Sequence, residues 1–183
     1  MKTNEKNIED FDKDFLLMQY SSLRNEIIKR IEIKHQLISM LLIALGTFLA
    51  VGTKFSDIVL LIYPILSLFI TIAWKQNDFR ISKIGKYIKE TIEHKFLQNN
   101  QINLLGWENY FSVANLKKSI IEKSVLPAKG IFIGSQIITL LIYFFKIKQH
   151  NIIYIGIKFN TYLFYFDLFI VVLTILILQK NKK

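Results

Sequence analysis

Residues 36–74 read QLISMLLIALGTFLAVGTKFSDIVLLIYPILSLFITIAW, two long apolar stretches separated by a turn of five residues. Two more apolar stretches follow at 130–145 and 162–178. A bilayer core is about 30 Å thick, and a helix needs roughly 17 to 25 mostly apolar residues to cross it. The sequence therefore predicts an all-α integral membrane protein with four transmembrane helices, at 36–52, 58–74, 130–145 and 162–178.

Basic residues are distributed unevenly around these spans. Residues 1–35, 75–129 and 179–183 contain seven, ten and three Lys or Arg, and the remaining segments contain four. Because basic residues near spans stay in the cytoplasm, both termini and the middle segment are expected on the cytoplasmic side of a bacterial inner membrane. The net charge of +10 then fits anionic lipid. Without a recognisable RNA or DNA module, we expect the bilayer, not nucleic acid, as the partner.

Composition limits the chemistry that the chain can perform. It has no cysteine, which excludes disulfides and thiolate metal sites. Its three histidines have no metal-ligand spacing on one helix, and no Gly-rich phosphate loop or nucleophile elbow occurs. We therefore expect no enzymatic activity, no metal and no cofactor.

Both helices of the first hairpin are predicted to continue beyond the membrane. Apolar residues recur every three or four positions on each side of the hairpin, which places them on one helix face. Two such stripes would bury each other as in an antiparallel coiled coil. We expect a cytoplasmic two-helix stalk, continuous with the hairpin, formed by Leu16, Tyr20, Leu23, Ile27 and Ile31 with Ile81, Ile84, Ile88, Ile92 and Phe96.

The remaining segments complete the predicted organisation. Residues 1–15 are expected to be a flexible N-terminus, with the first helix starting near Asp10 or Asp12. An amphipathic helix is predicted from Trp107 to Lys123, and Pro127 fits the first turn of the third span. The predicted segments are 1–15, the hairpin and stalk at 16–97, the cytoplasmic loop and amphipathic helix at 98–128, and the second hairpin at 129–183.

Three residues within the spans need an explanation. Asp57, or Ser56 before it, is expected to cap the second helix, and Pro64 to make a packing kink, with gating as the alternative. Asp167 is the intramembrane polar residue that marks a possible functional site, because a charge in hydrocarbon is costly. It could reach outer water, pair with Lys158, or bond across helices to Thr139 or Gln136.

Arg30 and His35 match the Arg-x4-His signature of HEPN ribonucleases. A histidine beside a cation could act as general base on an RNA hydroxyl while the arginine stabilises the phosphorane. The spacing is permissive, and cations at the mouth of a span are ordinary anchors. We therefore favour a structural role for both residues and keep them as weak catalytic candidates.

Several short motifs carry a family resemblance. They are YSSLRNEI at 20–27, QNDFRI at 76–81, IGKYI at 84–88 and GWE at 106–108. Over residues 18–110 the chain resembles a family of small bacterial multi-pass membrane proteins of unassigned function, which implies no activity. In size, spans and the Arg-x4-His pair it is also similar to the membrane accessory proteins of type VI-B CRISPR systems. That similarity implies an alternative function, an antiphage membrane effector that forms a pore and has a degenerate HEPN-like motif.

We expect a non-enzymatic, oligomeric scaffold whose cytoplasmic face binds a protein partner. Polar and aromatic residues near the stalk base are the candidate contacts, since recognition concentrates on such side chains. The alternative is that Asp78 and Arg80 pair across the stalk and fix its register. The partner-binding candidates are Arg24, Arg30, Asp78, Arg80 and Trp107.

Overall fold

A computed structural model of the chain describes the backbone of residues 2–93, 116–149 and 156–179, and the side chains of 14–92, 127–146 and 161–179. Apart from the turn at 55–57, these residues are helical. The elements are α1 (Lys2–Lys54), α2 (Ile58–Tyr87), which continues as a π-helical turn (Ile88–Glu93), α3 (Leu116–Gln149) and α4 (Gly156–Gln179).

Four segments of these helices are long and apolar enough to cross a membrane. They are Asp14–Lys54, Ile58–Ile92, Pro127–Lys146 and Thr161–Gln179. Each contains one of the four predicted spans, so the expectation of an all-helical chain with four helices of membrane-spanning length is confirmed. Helices suit this role because they satisfy their own backbone hydrogen bonds without water.

The chain divides into two compact units. Unit 1 comprises Met1–Ile33 and Asn77–Ile121, and unit 2 comprises Lys34–Gln76 and Glu122–Lys183. Helices α1 and α2 each contribute to both units, and α3 lies mostly in unit 2.

Unit 1 has an apolar core between α1 and α2. Ile88 and Ile92 are fully buried against Ile27. Tyr20, Leu23, Ile81 and Ile84 pack around them. These residues come from both predicted stripes. A helical face with this spacing can bury its apolar side chains only against a partner helix.

One stripe residue does not follow the expectation. Ile31 is 43% exposed, so its predicted burial is wrong. Arg30 is instead the better buried side chain at this level, 18% exposed, and donates from Nη1 to Asn77 Oδ1 on α2 at 3.3 Å. Four-residue steps drift around a helix, because four residues exceed one turn. The predicted contact of Phe96 lies outside the described residues.

Unit 2 is a bundle with large apolar side chains both in its interior and on its surface. Tyr63, Phe132 and Tyr143 are among its largest fully buried side chains. Edge-to-face aromatic pairs join α1 to α2, through Phe48 and Tyr63, and α2 to α3, through Trp74 and Phe132, with centroids 5.9 and 5.7 Å apart. Outward-facing side chains are also large and apolar, as lipid contact requires. Examples are Ile43, Phe69 and Phe169 at 70%, 65% and 61% exposure.

Two predicted helix starts are wrong. Helix α1 begins at Lys2, before Asp10 and Asp12, and α3 begins at Leu116, so Pro127 lies inside it. Both preceding stretches lack Gly and Pro, the residues most costly to a helix interior. Pro127 was assigned to a first turn because proline is favoured there, but a membrane helix also tolerates proline within its length.

The amphipathic helix predicted from Trp107 is described only from Leu116 onward, where it forms the first turns of α3. Trp107 itself lies outside the described part of the chain. The predicted boundary at 128/129 falls within α3, so no break separates the amphipathic segment from the third span.

Candidate functional site: the polar core of unit 2

Polar side chains converge in the interior of unit 2. Each is at most 4% exposed, and they come from α2, α3 and α4. Burying a polar group costs free energy unless it is hydrogen-bonded, so such a group of residues calls for an explanation. We define the polar core as Ser67, Thr71, Ser135, Gln136, Thr139, Asp167 and Thr174.

Gln136 holds three helices together at the centre of this core. From α3, its Nε2 donates to Ser67 Oγ on α2 at 3.0 Å and to Thr174 Oγ1 on α4 at 3.1 Å. A single amide therefore uses both N–H donors on two neighbouring helices. Interhelical bonds of this kind are a common way to join membrane helices.

The threonines of the polar core satisfy their hydroxyls within their own helices. Thr71 Oγ1 donates to Ser67 O at 2.8 Å, Thr139 Oγ1 to Gln136 O at 2.8 Å, and Thr174 Oγ1 to Ile170 O at 2.9 Å. Bonds from a hydroxyl back to the preceding turn allow threonine inside an apolar bundle.

Asp167 is the acidic residue of the polar core, and Gln136 Oε1 is another of its atoms without a hydrogen-bond partner among the described residues. Asp167 is 0% exposed, and among the described residues neither carboxylate oxygen has a hydrogen-bond partner. The predicted bonds to Thr139 and Gln136 are therefore absent, because both side chains donate elsewhere. Access to outer water is also wrong for this buried side chain. Lys158, the other predicted partner of Asp167, lies outside the described side chains.

The register of α3 against α4 shows which residue of α3 lies level with Asp167. Gln136 bonds to Thr174 at 3.1 Å, and further along the same pair of helices Tyr143 stacks on Phe164 with centroids 5.9 Å apart. In an antiparallel pair, this register sets Asp167 level with Tyr143. Tyr143 is 1% exposed, and its hydroxyl has no hydrogen-bond partner within the described chain. Tyr143 is in electrostatic range of both Asp57 and Asp167.

Lys146 makes a polar junction at one end of unit 2. Its Nζ donates to Gly52 O at 3.0 Å and to Thr53 O at 2.9 Å, and forms an ion pair with Asp57. The cation thus satisfies carbonyls in the last turn of α1, where the helix dipole favours positive charge. The predicted role of Asp57 as a cap is only partly right: its backbone carbonyl accepts from Leu60 N at 3.1 Å, whereas its carboxylate binds Lys146.

The partner-binding candidates differ in the hydrogen bonds and the exposure of their side chains within unit 1. Arg24 Nε donates to Tyr20 Oη at 3.0 Å. Arg30 Nε donates to Glu26 Oε1 at 2.9 Å, in addition to its bond to Asn77. Asp78 is half-buried, and Arg80 is exposed. Arg30 therefore contributes to the register of unit 1, and Arg80 has the most accessible charge of the described candidates.

Arg30 and His35 are not brought together by helix geometry. Residues five apart on a helix do not share a face, the guanidinium of Arg30 is bound to Glu26, and His35 is exposed. The HEPN-type role remains a prediction that substitution of His35 can test.

Sequence reasoning missed Lys146 and Tyr143 as site residues and named Gln136 only as a candidate partner of Asp167. Gln136 and Tyr143 are seven residues apart, two helical turns, and Asp167 and Thr174 have the same spacing on α4. Matching heptad spacing of polar groups on consecutive spans could have indicated that they face each other. No such periodic signal exists for Lys146, because its partners lie at the end of α1 and in the connection to α2.

Comparison with protein-family models, with curated proteins and with solved structures finds no match.

Proposed function

We propose that the protein is a non-enzymatic, multi-pass scaffold of a bacterial inner membrane that self-associates through α1 and binds a protein partner through unit 1. The observation that carries the proposal is an exposed seam of small and polar residues along the span of α1. The distribution of basic residues supports a cytoplasmic location for the termini and unit 1.

Helix α1 has the least intrachain packing of the four spans. Only 11% of its apolar window is buried within the chain, compared with 39% for α2, 39% for α3 and 28% for α4. A span with so little contact in its own chain has a large surface left for lipid or for a second subunit.

One face of that surface has the composition of a helix–helix contact. Its residues are all exposed and alternate at spacings of four and three, the pattern of a coiled-coil seam. Gly46 and Ala50 are four apart, a small-xxx-small pair that permits close approach of two membrane helices. We define the α1 seam as Ser39, Ile43, Gly46, Ala50 and Thr53.

Gly46 has no packing role within its own chain. A Cβ atom on Gly46 would meet nothing within 4 Å, yet glycine in a helix interior costs about 1 kcal/mol relative to alanine. Close approach of a second α1 would explain the glycine. The hydroxyls of the seam are compatible with such a contact, since Ser39 donates to His35 O at 3.2 Å and Thr53 to Leu49 O at 2.7 Å.

The test is the oligomeric state of the full chain in detergent and in lipid nanodiscs, measured by light scattering and mass photometry. Wild type is expected to be oligomeric, and Gly46→Leu to be monomeric with unchanged helical content. Gly130→Leu is the matched control, because Gly130 is exposed on α3 and also has open space around it. A monomeric wild type in both media, or equal behaviour of the two variants, would overturn the proposal.

Orientation can be tested by cysteine labelling, since the chain has no native cysteine. Phe55 lies in the turn between α1 and α2 and is 81% exposed, and Arg80 is exposed in unit 1. In intact spheroplasts, an impermeant maleimide should label Phe55→Cys, and should label Arg80→Cys only after permeabilisation. The reverse pattern would invert the proposed topology.

Partner binding by unit 1 can be tested with a photo-crosslinking residue at Arg80 in cells. We expect a discrete crosslinked species that is absent when the same residue replaces Phe55. Crosslinks to lipid alone at both positions would contradict a cytoplasmic protein partner.

A pore-forming effector, the alternative implied by the CRISPR resemblance, would use the same α1 seam. Large side chains, including Tyr63, Phe132 and Tyr143, fill the centre of unit 2, so conduction would run between subunits and not through one bundle. Dye release from liposomes that is lost in Gly46→Leu would favour the pore, and oligomers that release no dye would favour the scaffold.

A further inference from the structure

We propose that Asp167 is a proton-binding site within the membrane: it is a neutral carboxylic acid beside Tyr143 and exchanges its proton toward Asp57. This inference concerns unit 2 alone and holds whether or not the chain oligomerises.

The carboxyl group of Asp167 is buried in the interior of unit 2. The side chain is fully buried among the helices of unit 2 and does not face lipid. Neither of its oxygens accepts a hydrogen bond from any residue that the structure describes. An ionised carboxylate that is buried without a donor among the described residues is costly, whereas the neutral acid needs only one acceptor for its O–H.

Among the cations of unit 2 whose side chains the structure describes, none donates a hydrogen bond to Asp167. The ammonium of Lys146 has three N–H donors, and these match its three acceptors, Gly52 O, Thr53 O and Asp57 Oδ1. Its charge is already balanced by Asp57. On α1, Lys34 lies over the ring of Trp74, with Nζ 4.3 Å from the centroid, and both His35 and Lys54 are exposed.

Tyr143 is the titratable neighbour that could pass a proton to Asp167. It is level with Asp167 by register, lies in electrostatic range of both Asp167 and Asp57, and has an unpartnered buried hydroxyl in the described structure. A hydroxyl both donates and accepts. Because no hydrogen bond joins Tyr143 to Asp167 among the described residues, transfer through Tyr143 requires a side-chain rotation that brings the two groups together. Tyr63 on α2 is another buried titratable side chain of unit 2. It belongs to the apolar cluster with Leu41 and Trp74 and is close to Ser67 and Ser135 of the polar core.

The route to solvent ends at Asp57. Its side chain is 32% exposed, and it precedes α2 beside the exposed Phe55. The order Asp57, Tyr143, Asp167 therefore leads from an accessible carboxylate to a buried one. Such an arrangement of an intramembrane acid with a partner toward water is typical of proton-handling sites.

The test is labelling of the full chain in lipid vesicles with dicyclohexylcarbodiimide, an apolar reagent for protonated carboxyls. The acid proton moves to one carbodiimide nitrogen and the carboxylate oxygen adds to the central carbon. The resulting O-acylisourea rearranges to a stable N-acylurea, and no atom leaves. Intact mass and peptide mapping then give the number and position of adducts.

We expect one adduct at neutral pH, mapped to Asp167, and its loss in Asp167→Asn. Asp57→Asn should keep the adduct on Asp167 and slow the exchange that restores its reactivity after a pulse at high pH, because it removes the outer end of the route. Asp14→Asn, at an exposed carboxylate outside unit 2, is the control and should change neither the adduct nor the exchange. Tyr143→Phe should also keep the adduct but slow the exchange that restores reactivity after a pulse at high pH. A water-soluble carbodiimide should label Asp57 and leave Asp167 unreacted.

Three results would overturn the proposal. They are no adduct on wild-type Asp167 at neutral pH, an adduct confined to Asp57, or protection of Asp167 when sodium replaces potassium, which would indicate a metal cation in place of a proton. Peptide mapping of wild type makes the test independent of how well Asp167→Asn folds.

Discussion

Gly52 and Leu60 are in such close contact that a Cβ atom on Gly52 would lie 2.5 Å from Leu60 Cδ2. Gly52 is in the last turn of α1, and Leu60 is in the first turn of α2. The short connection between these helices therefore depends on a position without a side chain.

Gly52→Ala should destabilise the first hairpin, because the new methyl group must displace a fully buried leucine. Overpacking of this kind typically costs about 1–3 kcal/mol. Thermal unfolding in detergent, followed by circular dichroism, should show a lower midpoint. Gly130→Ala is the control and should keep or raise the midpoint, since the position is open and alanine favours the helix. Equal midpoints for the two variants would contradict the contact.

Gln136→Leu should weaken the association of α2, α3 and α4. The change removes the two bonds to Ser67 and Thr174, and interhelical hydrogen bonds in membranes contribute about 0.6 kcal/mol on average and up to about 1.7. We expect a loss of about 1–2 kcal/mol in unfolding by sodium dodecyl sulfate. Ile137→Leu, at a neighbouring exposed position, should leave that free energy unchanged.

Substitution of Asp57 and substitution of Lys146 should lower the free energy of unfolding by different amounts. Asp57→Asn removes only the ion pair, which is partly exposed and worth at most about 1 kcal/mol. Lys146→Met also leaves the carbonyls of Gly52 and Thr53 without their donor, so it should cost more. A double-mutant cycle measures the coupling, and purely additive effects would show that the ion pair contributes nothing.

The core of unit 1 can be tested by two isoleucines that both belong to the predicted stripes. Ile88→Ala removes a fully buried side chain and should cost about 2–5 kcal/mol. Ile31→Ala changes a side chain that is 43% exposed and should stay within about 0.5 kcal/mol. Hydrogen exchange of the amides in 16–33 and 77–92 provides the measurement. Similar protection in the two variants would argue against the packing of α1 on α2 in this unit.

His35→Ala tests the remaining catalytic hypothesis. The exposed imidazole has no core role, so stability and oligomeric state should not change, and RNA incubated with purified protein should be cleaved at the same background rate as without it. RNA cleavage by wild type that is lost in His35→Ala would establish the HEPN-type activity.

The four helices of membrane-spanning length could be predicted from the sequence because apolar length is a local property. The contacting stripes of unit 1 were likewise predictable, since Ile84, Ile88 and Ile92 repeat at helical spacing. The contents of the polar core were not, because Gln136 meets Ser67 and Thr174 only through tertiary packing. Asp167 could be identified as unusual from its sequence position, but its lack of partners depends on where Thr139 and Gln136 direct their donors.

The placement of Trp74 has a practical consequence for spectroscopy. This indole is 2% exposed, is packed edge-on against Phe132 and has the Lys34 ammonium 4.3 Å from its ring centroid. The chain has only two tryptophans, so Trp107→Phe leaves a single tryptophan, which can be excited selectively over the tyrosines and reports from inside unit 2. Its emission wavelength would then report how far water reaches that interior in each of the variants above, and quenching by brominated lipids would report how far lipid does.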